Sequence, residues 1–163
     1  MSRNLTELES ILQQLLAEHR RLVALLDAQQ KAMKTFDVNA MSDSANQQEA
    51  CRLRINGLES RRRLVAGNLA GELRVPEPIT LKSLATLLPP RAPALLKLRG
   101  ELRGAMDAIS SRTIVSGRIA GAVLGHLNTV FRLFAGAIGK AGLYTRDGIP
   151  RVPGRIGVME AIG

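Results

Sequence analysis

Few side chains in this sequence have the types and spacing that catalysis or metal binding requires. The only histidines are His19 and His126, and the only cysteine is Cys51. The sequence has no H-E-x-x-H motif, and one cysteine with two distant histidines cannot make a Cys/His zinc cluster. Gly139-Lys140 lacks the upstream glycine and the following Ser or Thr of a phosphate-binding loop, and G-x-G-x-x-G is absent. We therefore expect no enzyme activity, no metal and no cofactor.

Cys51 and the histidines occupy positions where packing is the simpler role. Cys51 falls at helical spacing between Gln48 and Ile55, which favours a small core residue over a nucleophile. A single cysteine also excludes an intrachain disulfide and suits a reducing compartment. The N-terminal stretch MSRNLTELES lacks the apolar segment and cleavage site of a signal peptide. We predict a cytoplasmic location.

The elements that carry these residues are predicted to be helices only. Leu, Ala and Arg are the commonest residues, three Phe and one Tyr are the only aromatic residues, and no alternating strand pattern is present. The first helix is predicted at about residues 5–36, with Asn4 as its N-cap and Glu7 completing a capping box. Its heptad seam comprises Leu5, Leu8, Leu12, Leu15, His19, Leu22, Leu26, Gln29, Met33 and Phe36.

A second helix is predicted at about residues 39–70, ending near Gly71. Since the connection is short, the two helices should form an antiparallel hairpin. Polar residues interrupt the seams at Gln29, Gln48 and Arg62. They set the register between helices or mark where a seam reaches solvent, and for Arg62 we favour solvent.

Prolines divide the rest of the chain. Thr80 is predicted to cap a short helix at residues 80–88, and a long last helix follows Pro93, at about residues 94–139. The fold class is thus all-α: a long antiparallel hairpin, a short helix and a long third helix in a coiled-coil-like bundle. We predict one domain over residues 1–141 and a mobile tail over residues 142–163, rich in Gly, Pro and Arg.

The last helix is apolar on more faces than its own hairpin can cover. We therefore expect a helix of another protein to bind there, as in helix-in-groove recognition. The candidate contacts are Ile119, Val123, Leu127, Val130, Phe131 and Phe134. Gly117, Gly121 and Gly125 follow one another at intervals of four, which either permits close approach of a second helix or marks tolerated surface glycines. Tyr144 lies in the tail, where a docking role and no role are about equally plausible.

The charge and hydropathy of the chain suggest two further partners, which we do not favour. The net charge of +9 suits a plain basic surface, an acidic partner or nucleic acid. Against nucleic acid, the charge is spread along all the helices and aromatic residues for stacking are few. The most apolar window, residues 119–138, contains His126, Asn128 and Arg132, so we predict no stable membrane insertion.

The order of these elements resembles the FlgN family of flagellar type III export chaperones. The likeness rests on LTELESILQQLLAEHRRLVALLDAQQ, the turn FDVNAM, and a second helix with NQQEACRLRINGLESRRRLVAGNLA. The proline break, the helix LKSLATLLP and the long last helix follow in the family's order. The segment GLYTRDG, containing Tyr144 and Gly148, is similar to the family's Tyr-x-x-x-Gly element.

The resemblance implies a cytosolic chaperone for hook-filament junction proteins, also called hook-associated proteins. It would bind their C-terminal helical region, prevent premature assembly and deliver them to the export gate. By this likeness the last helix binds cargo, and Tyr144 and Gly148 contact the cytoplasmic domain of the gate. The alternative that we retain is a structural coiled-coil protein that self-associates, for instance as a homodimer, without a client.

Overall fold

The computed structural model describes residues 3–141, with the side chains of residues 3–137, and these residues contain no strand. The helices are α1 (Arg3–Lys34), α2 (Val38–Leu73), α3 (Leu81–Leu87) and α4 (Ala92–Ala141), and a 3-10 turn at Pro89–Arg91 precedes α4. The all-α class, the hairpin and the long last helix are thereby confirmed. The tail predicted at residues 142–163 lies outside the described residues.

Helices α1 and α2 form the predicted antiparallel hairpin. Arg61 of α2 donates to Glu7 near the start of α1, at 2.6 Å from Nη2 to Oε1. Farther along α1, Arg54 Nε lies 3.0 Å from Glu18 Oε2. Near the turn, the two seam glutamines bond to each other, Gln48 Nε2 donating to Gln29 Oε1 at 3.0 Å. These two glutamines therefore set register between the helices, whereas Arg62 is half-buried and pairs with Glu59 on its own helix.

The turn of the hairpin is made by residues whose roles the sequence pattern did not reveal. Phe36 has φ 55°, in the left-handed region, so α1 ends at Lys34 and the prediction that Phe36 continues the seam is wrong. Asp37 then caps α2, because its Oδ1 accepts the N–H of Ala40 at 2.9 Å. That cap starts α2 at Val38, one residue before the predicted start.

The predicted capping box at the start of α1 is also wrong. Helix α1 already includes Arg3, so Asn4 lies inside its first turn. The amide Nδ2 of Asn4 instead donates to Oε1 of Glu72, near the end of α2. Glu7 likewise reaches across to Arg61. Both side chains thus connect the first turns of α1 to the second half of α2.

Helix α2 continues past Gly71, where the sequence predicted its end. It stops at Leu73 because Arg74 turns left-handed, with φ 54°, and the N–H of Val75 bonds to Ala70 O at 3.0 Å. The cap predicted for the short helix is confirmed. Thr80 Oγ1 accepts from Ser83 N at 3.0 Å, and Ser83 Oγ accepts from Thr80 N at 2.9 Å.

Helix α4 begins at Ala92, so Pro93 is its second residue and does not break the chain there as predicted. Proline is tolerated in a first turn, where no intrahelical partner exists for the N–H. From this start α4 runs parallel to α1. The paired residues are Glu9 with Arg91, Arg20 with Glu101, Asp27 with Arg112, and Gln30 with Ser116. The partners in each pair are separated by 81 to 86 residues of sequence, a nearly constant offset.

The buried core joins the open end of the hairpin to α3 and to the start of α4. Its main cluster comprises Leu5, Leu8, Ile11, Leu12, Leu15, Leu16, Val65, Ala66, Leu69, Leu84, Ala85, Leu95 and Leu98. A smaller cluster toward the turn contains Leu22, Leu26 and Cys51. The chain divides into two compact units, one ending at Ile119 and the other beginning at Ala120. Both buried clusters belong to the first unit.

Candidate partner-binding surface

An apolar stripe runs along the second half of α4, and we name it the α4 stripe. It consists of Val123, Leu127, Val130, Phe131 and Phe134, all of which were predicted as partner contacts and lie in the unit that begins at Ala120. At about 100° per residue they fall within roughly 100° of the helix circumference. One face of α4 therefore carries them together. The sixth predicted residue, Ile119, is half-buried and ends the other unit.

The aromatic residues of the α4 stripe are largely open to solvent. Phe131 is 70% exposed and Phe134 64%, while Leu127 is exposed and Val123 and Val130 are half-buried. Complete burial of one such side chain is worth about 1.5–3 kcal/mol. Neighbouring apolar side chains left exposed together are typical of an interaction site.

Two further exposed residues widen this surface and were not among the predicted contacts. Leu124 extends one edge of the α4 stripe, and Leu133 lies beyond the other edge, next to Val130. The sequence signal was the presence of apolar residues on several faces of the helix. Sequence spacing alone did not show which face stays open, because a core face and a binding face have the same composition.

The three glycines at intervals of four in α4 face open space in the part of the chain that the structure describes. A Cβ placed at Gly117, Gly121 or Gly125 would meet no neighbouring atom within 4 Å. No described neighbour therefore requires a glycine at these positions. Each mid-helix glycine costs about 1 kcal/mol relative to alanine.

The charged residues near the α4 stripe in the sequence are all basic. Between Ala108 and Ala141 there is no Asp or Glu, while Arg112, Arg118, Arg132 and Lys140 are basic. Arg112 is already paired, its Nε lying 2.8 Å from Asp27 Oδ1. A partner helix that carries carboxylates beside its apolar face would thus meet no Asp or Glu that repels it on this part of α4.

Cys51 and His19 both make hydrogen-bond contacts within the hairpin. Cys51 is fully buried, as predicted, and its Sγ donates to Glu18 O and Glu18 Oε2 at 3.3 and 3.2 Å. Burial, together with the bond to the Glu18 carboxylate, raises the pKa of this thiol, which keeps it protonated at neutral pH. His19 Nδ1 lies 2.6 Å from Leu15 O on its own helix. Across the described residues, no group of three or more His, Cys, Asp or Glu is placed to hold a metal.

Helix α4 is long and apolar enough to cross a membrane by length and composition. Its most apolar window of 18 residues has mean hydropathy 1.2, and none of that window is buried. A single helix of this kind is weak evidence of a membrane span, since a helix that binds another helix needs the same composition. The predicted contacts Tyr144 and Gly148 lie outside the described residues.

The similarity of this chain to known proteins lies at the level of a family. No curated protein and no solved structure matches the chain significantly. A family model described as FlgN protein, however, matches residues 1–151, which is nearly the whole chain. This agrees with the helix order and with the family that the sequence pattern resembles, whose members are flagellar export chaperones in general. The chain belongs to the FlgN family.

Proposed function

We propose that this protein is a cytosolic flagellar export chaperone that binds the C-terminal helical region of hook-filament junction proteins. It would prevent their premature assembly and deliver them to the type III export gate. Family membership supports the general role. The observation that carries the specific proposal is the exposure of the α4 stripe, above all of Phe131 and Phe134.

The exposed apolar face of α4 and the apolar face of a cargo helix would cover each other. A hook-filament junction protein that assembles through amphipathic helices has an apolar face that must be shielded until export. The α4 stripe offers leucine, valine and phenylalanine side chains at helical spacing, which fits the apolar face of a second helix. Since the contact is non-covalent and confined to one face, it can be released at the gate.

The first test is the substitution Phe131→Asp. A carboxylate within the α4 stripe must be desolvated on binding, so we expect cargo affinity to fall by at least about 10-fold, or 1.4 kcal/mol. The measurement is isothermal titration with a purified hook-filament junction protein. Circular dichroism should be unchanged, because the Phe131 side chain is exposed.

The matched control is Thr129→Asp. Thr129 is exposed on the opposite side of the same helix and receives the same new charge. We expect it to bind cargo like the wild type. Equal loss in both variants would show that charge on α4, and not the α4 stripe, controls binding, and this would contradict the proposal.

Docking to the export gate is proposed for Tyr144 and Gly148, on the family resemblance alone. Tyr144→Ala should weaken binding to the cytoplasmic domain of the gate by several-fold and leave cargo affinity unchanged. Two titrations of the same variant, one with each partner, measure both effects. Unchanged gate affinity would remove Tyr144 from the docking site.

The alternative of self-association uses the same exposed stripe. Two copies can pair through α4, giving a homodimer without a client. Light scattering of the purified chain, alone and with cargo, separates the two functions. A dimer that persists in excess cargo favours the structural protein, whereas a chain that forms a complex with cargo favours the chaperone.

A further inference from the structure

A second unpartnered face lies on α2, in the unit that ends at Ile119. We call it the α2 outer face and define it by Ala50, Leu53, Gly57, Ser60 and Leu64. At about 100° per residue these five positions fall within roughly 80° of the helix circumference. The residues that α2 presents to α1, such as Cys51, Val65 and Leu69, are buried. The α2 outer face is instead open, with Leu53 62% and Leu64 66% exposed.

The centre of this face leaves room for another backbone. A Cβ at Gly57 would meet nothing within 4 Å, so no described neighbour requires a glycine there. Yet a mid-helix glycine costs about 1 kcal/mol relative to alanine. With Ala50 and Ser60 beside it, Gly57 forms a shallow depression between two leucines about three helical turns apart.

Arginines flank the α2 outer face on both sides. Arg52 and Arg63 lie along one side, Arg54 and Arg61 along the other. Arg54 and Arg61 pair with Glu18 and Glu7 of α1. Arg52 and Arg63 are exposed, and no carboxylate lies within ion-pair distance of either among the described residues. Residues 50–71 contain five arginines and one glutamate, a net charge of +4.

We propose that the α2 outer face binds an amphipathic helix of another protein whose apolar stripe is flanked by Glu or Asp. The leucines and the depression at Gly57 fit an apolar stripe of about three turns. The unpaired Arg52 and Arg63 fit carboxylates beside that stripe. This site lies on a different helix from the α4 stripe, so it gives the chaperone a second partner that does not compete for the cargo surface.

The charge argues against a second copy of this chain as the occupant. A two-fold contact would place this face against itself and bring the arginine flanks of both copies together. Like charges across an interface are repulsive. Glu49 lies beside this face, but one glutamate against four flanking arginines leaves a net repulsion between two copies.

The test uses the full chain and two synthetic helical peptides of about four turns. Both peptides carry the same leucine stripe, flanked by glutamates in one and by lysines in the other. Fluorescence anisotropy should show the glutamate peptide binding at least about 10-fold tighter than the lysine peptide. A photoreactive group within the leucine stripe should crosslink to residues 50–64.

Three variants separate this site from the α4 stripe. Leu53→Ser with Leu64→Ser should weaken the glutamate peptide by at least about 10-fold, and Arg52→Glu with Arg63→Glu should reverse the preference between the peptides. Phe131→Asp should leave the binding unchanged. All five residues are exposed, so the fold should survive, which circular dichroism checks.

Several results would contradict the proposal. Binding that Leu53→Ser with Leu64→Ser leaves intact, or that Phe131→Asp removes, would assign the peptide to the α4 stripe and overturn the proposal. Equal affinity for both peptides would overturn its charge argument. If light scattering shows a dimer that Leu53→Ser with Leu64→Ser dissociates, a second copy occupies this face, which also overturns the proposal.

Discussion

At the scale of single residues, the carboxylate of Glu18 joins the two arms of the hairpin. It accepts a hydrogen bond from the Cys51 thiol at 3.2 Å and lies 3.0 Å from Arg54 Nε. Burial raises the pKa of Glu18, but the hydrogen bonds from Cys51 and Arg54 and the charges of Arg54 and Arg21 outweigh burial. The pKa is therefore held below its ordinary value. The ionised form is the one that stabilises the fold.

Replacement of Glu18 by glutamine should reduce the free energy of unfolding by roughly 1 kcal/mol at neutral pH, because the charged acceptor is lost. A lowered pKa in the folded state means that this stabilisation is complete above the unfolded value, near 4.5. It is lost as the pH falls through the folded value. The difference between wild type and Glu18→Gln in urea unfolding should thus shrink toward acid pH.

Glu59→Gln is the control for this experiment. Glu59 also pairs with an arginine, Arg62, but on its own helix and without a buried thiol. Such a pair contributes only about 0.3–0.5 kcal/mol. An equal destabilisation in both variants at neutral pH would mean that the contact between Glu18 and Cys51 adds nothing.

The sequence predicted the burial of Cys51 but not its partner. Heptad spacing places Cys51 toward α1, which is enough to assign it to the core. Glu18 sits one residue before the seam position His19, so its contact depends on the rotation of α1 against α2. That rotation is set by the packing of the leucines and by the bond between Gln29 and Gln48. No local sequence pattern predicts that rotation.

At the scale of elements, the helix ends divide into those with a local cause and those without. Thr80 acts on the residues next to it, so the short helix was predicted closely, whereas Pro93 lies in the first turn of α4 and does not end the connector. Phe36 and Arg74 adopt the left-handed conformation without being glycine, which sequence rules disfavour. Gly71 shows the converse, since it looks like a terminator and lies inside α2.

Gly121→Ala tests whether the glycines of α4 serve a partner. Since a Cβ at Gly121 meets nothing within 4 Å, alanine should stabilise the helix by about 1 kcal/mol. Circular dichroism on heating should show helix retained to higher temperature. Gly121 lies roughly 130° around the helix from the centre of the α4 stripe, so cargo that binds the stripe should be held with unchanged affinity, and a several-fold loss would show that a partner helix also approaches at this face.

Gly100→Ala is the matched comparison on the same helix. Gly100 also faces open space but lies in the part of α4 alongside α1, far from the α4 stripe. It should stabilise the helix without changing cargo affinity. If Gly121→Ala behaves like Gly100→Ala in the cargo titration, the glycines of the second unit are tolerated surface residues.

At the scale of the whole molecule, the buried side chains among residues 3–137 are concentrated in the unit that ends at Ile119. The core residues run from Leu5 to Leu98, and every large side chain from Leu124 to Phe134 is exposed or half-buried. The single domain predicted over residues 1–141 stays a prediction, and amide hydrogen exchange can test it. Segments with few buried contacts open at lower free energy than a core.

Amide hydrogen exchange followed by mass spectrometry should therefore be uneven along α4. We expect residues 120–137 to exchange much faster than residues 95–109, which contact both buried clusters. Saturation with cargo should slow exchange in residues 120–137 and leave residues 95–109 as before. One common exchange rate along α4 without cargo would instead support a single cooperative unit, and unchanged exchange with cargo would place the cargo elsewhere.

Because α1 pairs in parallel with α4, the length of the hairpin limits how far these pairs extend along α4. With an offset of 81 to 86 residues, Lys34 at the end of α1 corresponds to positions 115–120 of α4, where the first unit ends. Lengthening both arms by one heptad should extend the row of paired residues on α1 by about two helical turns. The number of residues in α1 thus sets how far along α4 the hairpin can supply polar partners, and a chain with one heptad deleted from both arms should lose the pair between Gln30 and Ser116.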